Sequence, residues 1–282
     1  MSALRTPARA ALRRLPWTLV AAALLVVYLF PVYWMLSASF QPSANSASVQ
    51  WVPGSLDLTG YARALDGAGT SLRTSLVVAI GTAFVTLVIA VPAAYALSRL
   101  RSRAVSVALV LILVAQMIPS IVLANAFYAM FNQWGLLNTL VGLILANATN
   151  AIPFAVILIR SFMLHLDHDV VEAATLDGLG TVGTLVRIVV PLSRNAVITA
   201  AIFAFLFSWS DLLFGLTLTT QAASEPVIMY IYRTIEAATT SGQDARWSTV
   251  MATSIITSLP AFLLLIAAQR YVKAGIAVGS GK

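Results

Sequence analysis

The chain has 282 residues, 60% of them apolar and 10% charged, with a formal net charge of +7 and no cysteine. So little polar surface excludes a water-soluble domain, and the missing thiols exclude disulfides, thiolate metal sites and cysteine nucleophiles. What remains is an all-α membrane protein.

A bilayer core of about 30 Å takes roughly 20 helical residues to cross. Six stretches meet that requirement, near 17–36, 74–97, 104–130, 139–160, 195–214 and 248–272. They divide the chain into a tail at 1–16, a six-helix membrane domain at 17–272 with an inside loop at 161–194, and a second tail at 273–282. The first tail carries four Arg and no acid, as the start of a signal peptide does. The run after it is a full 20 residues without a small-residue cleavage site and ends in "FPVYWML", so a retained first span is expected. The third stretch is long for one crossing. Pro119 is expected to kink it, with the freed carbonyl satisfied by neighbouring helices.

The segments 37–73 and 215–247 read as the largest outside loops. They are long enough to meet a partner outside; alternatively they are loose and solvated, with Trp51, Tyr230, Tyr232 and Trp247 as interfacial aromatics.

Positive residues resist translocation and mark the cytoplasmic side. The two tails with Arg270 at the edge of the second, the turn with Arg99, Arg101 and Arg103, and the 161–194 loop with Arg160 at its edge hold 13 Lys and Arg; the opposite loops hold four, Arg63, Arg73, Arg233 and Arg246. Both termini and the 161–194 loop are therefore expected in the cytoplasm. These positives hug span ends, where they meet anionic lipid head groups, and form no aromatic-interleaved stripe, so nucleic acid is not an expected partner.

Several motif matches fail on context. The terminal "GSGK" lacks the earlier glycine and the following helix of a phosphate-binding loop. "NAT" at Asn147 lies inside an apolar span, beyond reach of glycosylation. His165 and His168 are the only histidines, too few for a metal cluster. No catalytic residue and no metal site is expected.

The inside loop holds the one polar, glycine-closed stretch between apolar runs, "EAATLDGLG" at 172–180. Asp167 or Asp169 is placed to cap a short helix, and Gly178 and Gly180 to end it in the left-handed conformation. Two turns do not persist alone in water, so packing must hold this helix. Ala173 and Ala174 give it a low-profile flank beside Val170, open to close approach by a partner, with Glu172 and Asp177 supplying charge around it. A second helical run, "TVGTLVRIVV", leads through Pro191 to the fifth span.

"EAATLDGLGTVGTLVRIVVPL" resembles the EAA loop of binding-protein-dependent ABC importer permeases, with Glu172, Ala173, Ala174, Asp177, Gly178, Ile188 and Pro191 in register. "FPVYWMLSASFQP", "AAYALSRL", "QMIPSIVL", "WGLLNTLVGLIL", "FSWSDLLF" and "RYVKAGIAVGSGK" resemble the carbohydrate-type branch, in the same order along nearly the whole chain. The chain departs from the family pattern at Asp167 and Arg194, where Pro is frequent, and at Leu179, where Ala is. The resemblance implies a six-span permease that pairs with a second permease, two cytoplasmic ATPase subunits and an outside substrate-binding protein. It implies that the EAA helix docks in the ATPase through Glu172, Ala173, Ala174, Asp177, Gly178 and Pro191. It also implies that this chain binds no cofactor, ATP and Mg being held by the ATPases.

For the substrate path, Asn147, Asn150, Trp209 and Asp211 are the foremost candidates among the polar groups at membrane depth, beside Gln116, Asn125, Ser208, Ser210, Ser254 and Thr257. Each can hydrogen-bond a solute hydroxyl or serve as glue between helices. "WSDLLF" matches a Trp-Asn-Glu-like stretch of the family. Two other classes stay open: an ion-coupled secondary transporter, for which Asp211 is the one acid near a span, and a non-transporting membrane scaffold.

Overall fold

Apolar side chains in lipid gain nothing from mere association, so helices of a membrane domain meet where small residues let their backbones approach. The sequence supplies such a seam twice. In α5 (Leu140–Met163) the residues Leu143, Asn147, Ala151, Ala155, Ile159 and Met163 recur every fourth position and are all buried. In α9 (Arg194–Trp209) Ala196, Ala200, Ala204 and Ser208 do the same, and these two helices form the most extensive contact in the chain.

The computed structural model describes residues 7–41, 50–100, 102–240 and 247–279. Residues 1–6 and 280–282 of the two expected tails, with most of "GSGK", and Arg101 and Arg246 lie outside the described residues. In chain order the other helices are α1 (Pro7–Ser39), α2 (Thr59–Arg99), α3 (Arg103–Gln116), α4 (Ser120–Trp134), α6 (His168–Leu176), α7 (Thr181–Thr184), α8 (Val190–Leu192), α10 (Leu213–Leu218), α11 (Val227–Thr240) and α12 (Trp247–Gly279). A π-helical turn, Leu185–Val189, joins α7 to α8. Among the described residues no strand forms. Among the described residues four helices are long and apolar enough to cross a membrane, or up to six spans if each of two bent pairs counts as one.

The chain divides into two units. In the first, Met1–Gly67 with Thr234–Ile256, the polar end of α1 is tied to the segment after it. Gln41 Nε2 donates to the carbonyls of Ser37 and Gln50 at 3.2 and 2.8 Å, and its Oε1 accepts from Gln50 N at 2.8 Å. Tyr33 donates to the carbonyl of Trp51, whose ring meets Trp34 edge-on at 5.4 Å. So the described parts of the 37–73 stretch are not loose: residues 37–41 and 50–51 are tied by these bonds, and from Thr59 the chain is the opening of α2, a 41-residue helix about 60 Å long at 1.5 Å per residue.

The second unit, Ala68–Arg233 with Thr257–Lys282, carries the features of interest. Here the structure corrects the expected third span. It is two helices meeting at 91°, far more than a proline kink. Pro119 has no N–H to continue the ladder and disfavours helical geometry at Ile118, so α3 closes on itself through Met117 N to Val114 O at 3.0 Å and α4 starts afresh. The fifth span also differs. Its helix ends at Trp209, five residues early, and Asp211 Oδ2 accepts from Phe214 N at 3.1 Å to open α10. The described residues of the expected 215–247 loop are mostly helical, with Leu218, Val227 and Met229 buried.

The turn before α5 is fixed by close approach. A Cβ on Gly142 would lie 2.4 Å from the Leu136 carbonyl oxygen, backbone that cannot step aside. Gly142→Ala is expected to cost about 1–3 kcal/mol through overpacking and to lower the thermal midpoint in detergent. Gly69→Ala, mid-helix with open space around the new Cβ, is the contrasting control and should raise stability by roughly 0.5–1 kcal/mol. Equal midpoints for the two variants would count against this packing.

Candidate functional site

The EAA segment folds as its local chemistry dictates. Asp167 caps α6, its carboxylate accepting from Asp169 N at 3.2 Å. The helix then stops at a Gly178 with φ +85°, a conformation that carries no Cβ penalty only for glycine. Leu179 N donates to Ala174 O at 3.1 Å and Gly178 N to Thr175 O at 3.1 Å, the paired bonds of a Schellman cap that satisfy the last carbonyls. Nothing lies within 4 Å of a Cβ built on Gly178, so the turn projects clear of its own chain.

One face of this helix is held and the other is open. Val171 and Ala174 are buried, and Val171 joins a cluster with Ala94, Ala155, Ile159, Met163 and Val189. Ala174, expected beside Ala173 on the partner-facing flank, turns inward instead. Glu172, Ala173, Asp177 and Gly178 stay exposed. The reading of the sequence missed Leu176, 88% exposed at the tip. Its signal was an apolar residue closing a stretch otherwise small or polar. Val182 and Val186 continue the exposed apolar edge at 74% and 59%.

The second helical run is not one helix. Leu185–Val189 widens into a π turn in which Val190 N reaches Leu185 O. Pro191 follows, exposed and unable to donate, and Ser193 closes the step with N and Oγ both on Val189 O at 2.9 and 2.6 Å. The run from Thr181 to Leu192 then meets α9 at 83°. Pro191 thus sits just before the bend that leads into α9.

The second feature is a cavity of about 540 Å³, within the 300–1,000 Å³ range of small-molecule sites. The α3–α4 break, α5 and the α9–α10 break wall it, so what opens it is a break at Pro119, sharper than the expected kink, and one after Trp209 where an unbroken span was expected. Gln116, Asn147, Asn150, Ser210 and Asp211 all line it, which brings together residues up to 95 positions apart. Asn150 Nδ2 lies 3.4 Å from Ser120 Oγ, and Asn147 Nδ2 donates to Leu143 O at 3.0 Å.

Trp209 does not line the cavity. Its ring stacks on Phe205 at 5.4 Å and its indole N–H donates to Thr257 O at 3.1 Å, so it is a buried packing residue here. Ser208 is glue, its hydroxyl accepting from Thr82 Oγ1 at 3.3 Å.

The sequence pattern of the binding-protein-dependent transport system inner membrane component matches residues 86–278. The chain is 31% identical to the probable ABC transporter permease protein y4oR of Sinorhizobium fredii, over 96% of each chain. It is also 31% identical to the trehalose transport system permease protein SugB of Mycobacterium tuberculosis, over 96% of this chain and 98% of that one. With the diacetylchitobiose uptake system permease protein DasC of Streptomyces coelicolor it shares 28% over 94% and 96%. The fold is that of a bacterial ABC transporter involved in the import of the acidic polysaccharide alginate, at a TM-score of 0.76 and 22% identity, covering 92% of this chain and 97% of that one.

Proposed function

The chain belongs to the family of binding-protein-dependent transport system inner membrane components, and from that premise we propose that it is the permease subunit of an ATP-driven importer carrying a sugar or related polar solute into a bacterial cell. It is a multi-pass membrane transport component, and its curated relatives are permeases rather than enzymes.

The observation that carries the coupling part is the half-held peg. α6 is anchored through Val171 and Ala174 and presents Glu172, Ala173, Leu176 and Asp177 outward around the Gly178 turn. A two-turn helix held by its own bundle moves with that bundle, and a surface gripped differently in two states of a partner shifts the equilibrium between them. In this reading the partner is a cytoplasmic ATPase present in two copies, the peg and both termini face the cytoplasm, and the motion passes through the π turn and Pro191 into α9. ATP and magnesium belong to the ATPases. A second permease completes the pathway, and an outside binding protein delivers solute to a path that includes Asn147, Asn150 and Asp211. The names of trehalose and diacetylchitobiose permeases among the relatives support a sugar as cargo.

The test is uptake of radiolabelled sugar by vesicles holding the purified complex and its binding protein. ATP-dependent uptake blocked by vanadate and indifferent to ionophores is expected. Uptake that persists under vanadate and collapses with an ionophore would replace this mechanism with ion coupling, and absence of flux under every condition would favour a scaffold.

A further inference from the structure

The cavity beside the α3–α4 break has an uneven chemistry. Among its lining residues there is one charged group, the Asp211 carboxylate, and no Lys, Arg or His. Its hydroxyls are partly committed: Ser210 donates to Leu206 O at 2.8 Å, so towards the cavity it keeps only acceptor lone pairs, and Ser120 Oγ lies against Asn150 Nδ2. Asp211 sits over the opening amides of α10, where Phe214 N donates to its Oδ2 at 3.1 Å and the backbone N–H groups of Leu213 and Gly215 also face it, and a carboxylate with about four lone-pair sites keeps acceptor capacity beyond these. The wall around Ser210 and Asp211 therefore asks for donors from whatever fills it.

Resting on the reading of this chain as a solute permease, we propose that this cavity is a charge filter: it takes neutral, hydroxyl-rich solutes, whose O–H groups donate to Asp211 and Ser210, and rejects solutes bearing carboxylate, sulfate or phosphate. An anionic solute brings a like charge to Asp211 and further acceptors to the Ser210–Asp211 wall, and no cationic side chain lines the cavity to neutralise it. Gln116, Asn147 and Asn150 carry amides able to both donate and accept, so they fit a hydroxyl of either orientation and add no charge preference. Asp211 is then a specificity-determining residue.

Two trisaccharides of like size separate charge from shape: maltotriose, neutral, and trigalacturonate, with three carboxylates. Binding of each to the full chain, with the subunits it retains, is read in lipid nanodiscs by saturation-transfer NMR, which needs no binding protein. The wild type is expected to favour maltotriose at least tenfold. Asp211→Asn, which keeps an oxygen for the Phe214 N–H, should narrow that preference at least fivefold by admitting trigalacturonate. Ser210→Asp, which leaves Asp211 intact and adds a second carboxylate, should widen it. Equal binding of both sugars by the wild type, a preference unmoved in both variants, or no binding of either sugar overturns the filter. Vesicle uptake reads the transport role separately: ATP-driven uptake with indifferent binding removes the filter alone, whereas charge-selective binding without uptake removes the transport reading.

Discussion

Leu176→Asp is expected to strip the ATPase from the detergent-solubilised complex while leaving insertion of the permease unchanged. Leu176 is 88% exposed and touches little of its own chain, so its truncation removes almost nothing from the fold. If the tip enters a groove of the ATPase, burying that leucine contributes about 1.5–3 kcal/mol, which is roughly a factor of 10–150 in affinity. Leu176→Ala should lose about that much of the docking affinity, and Leu176→Asp more, because a carboxylate would have to enter the groove without a partner. Leu176→Met keeps an apolar side chain of similar volume and should retain the ATPase. Co-purification of tagged ATPase with each variant reads the order directly. Full retention with aspartate at the tip would mean that the exposed edge of α6 is not where the partner sits.

The same peg shows how unevenly the sequence could be read. Asp167 and Gly178 did what their local chemistry requires, because a cap and a left-handed turn are decided within four or five residues. Which flank of a two-turn helix faces home is decided elsewhere: Ala173 and Ala174 are identical side chains one position apart, and it is Val171, packed into the cluster of Ala94, Ile159 and Met163, that fixes the face on which Ala174 is buried. Hydrophobic runs located the spans, yet Pro119 marked a break without giving its 91° angle, and the Asp211 cap that opens α10 just past Trp209 is a single polar residue in an otherwise apolar run. The cavity follows the same division. The polar residues at membrane depth were visible as a set, and tertiary packing sorted them, putting Gln116, Asn147, Asn150 and Ser210 on one wall and leaving Ser208 bonded to Thr82 between helices.

Gly178→Asp should leave the permease in the membrane, with its ATPase bound and hydrolysing, and lower uptake at least tenfold. The glycine holds φ +85° with no atom within 4 Å of a built Cβ, so within this chain the only cost is conformational, about 1–2 kcal/mol for a non-glycine residue in the left-handed region. That is too little to unfold the domain, and the substitution puts a carboxylate on a turn whose bonds, Gly178 N to Thr175 O and Leu179 N to Ala174 O, define the end of the peg. Gly178→Asn separates shape from charge, since asparagine tolerates the left-handed region and matches aspartate in size. Gly178→Val applies the conformational cost without charge. If the turn's shape transmits the ATPase stroke, asparagine keeps most of the uptake and valine loses it. If the partner groove demands a bare backbone at this point, both lose it. Hydrolysis and uptake measured on the same vesicles distinguish uncoupling from simple loss of the ATPase, and wild-type uptake by Gly178→Asp would remove the peg from the coupling path.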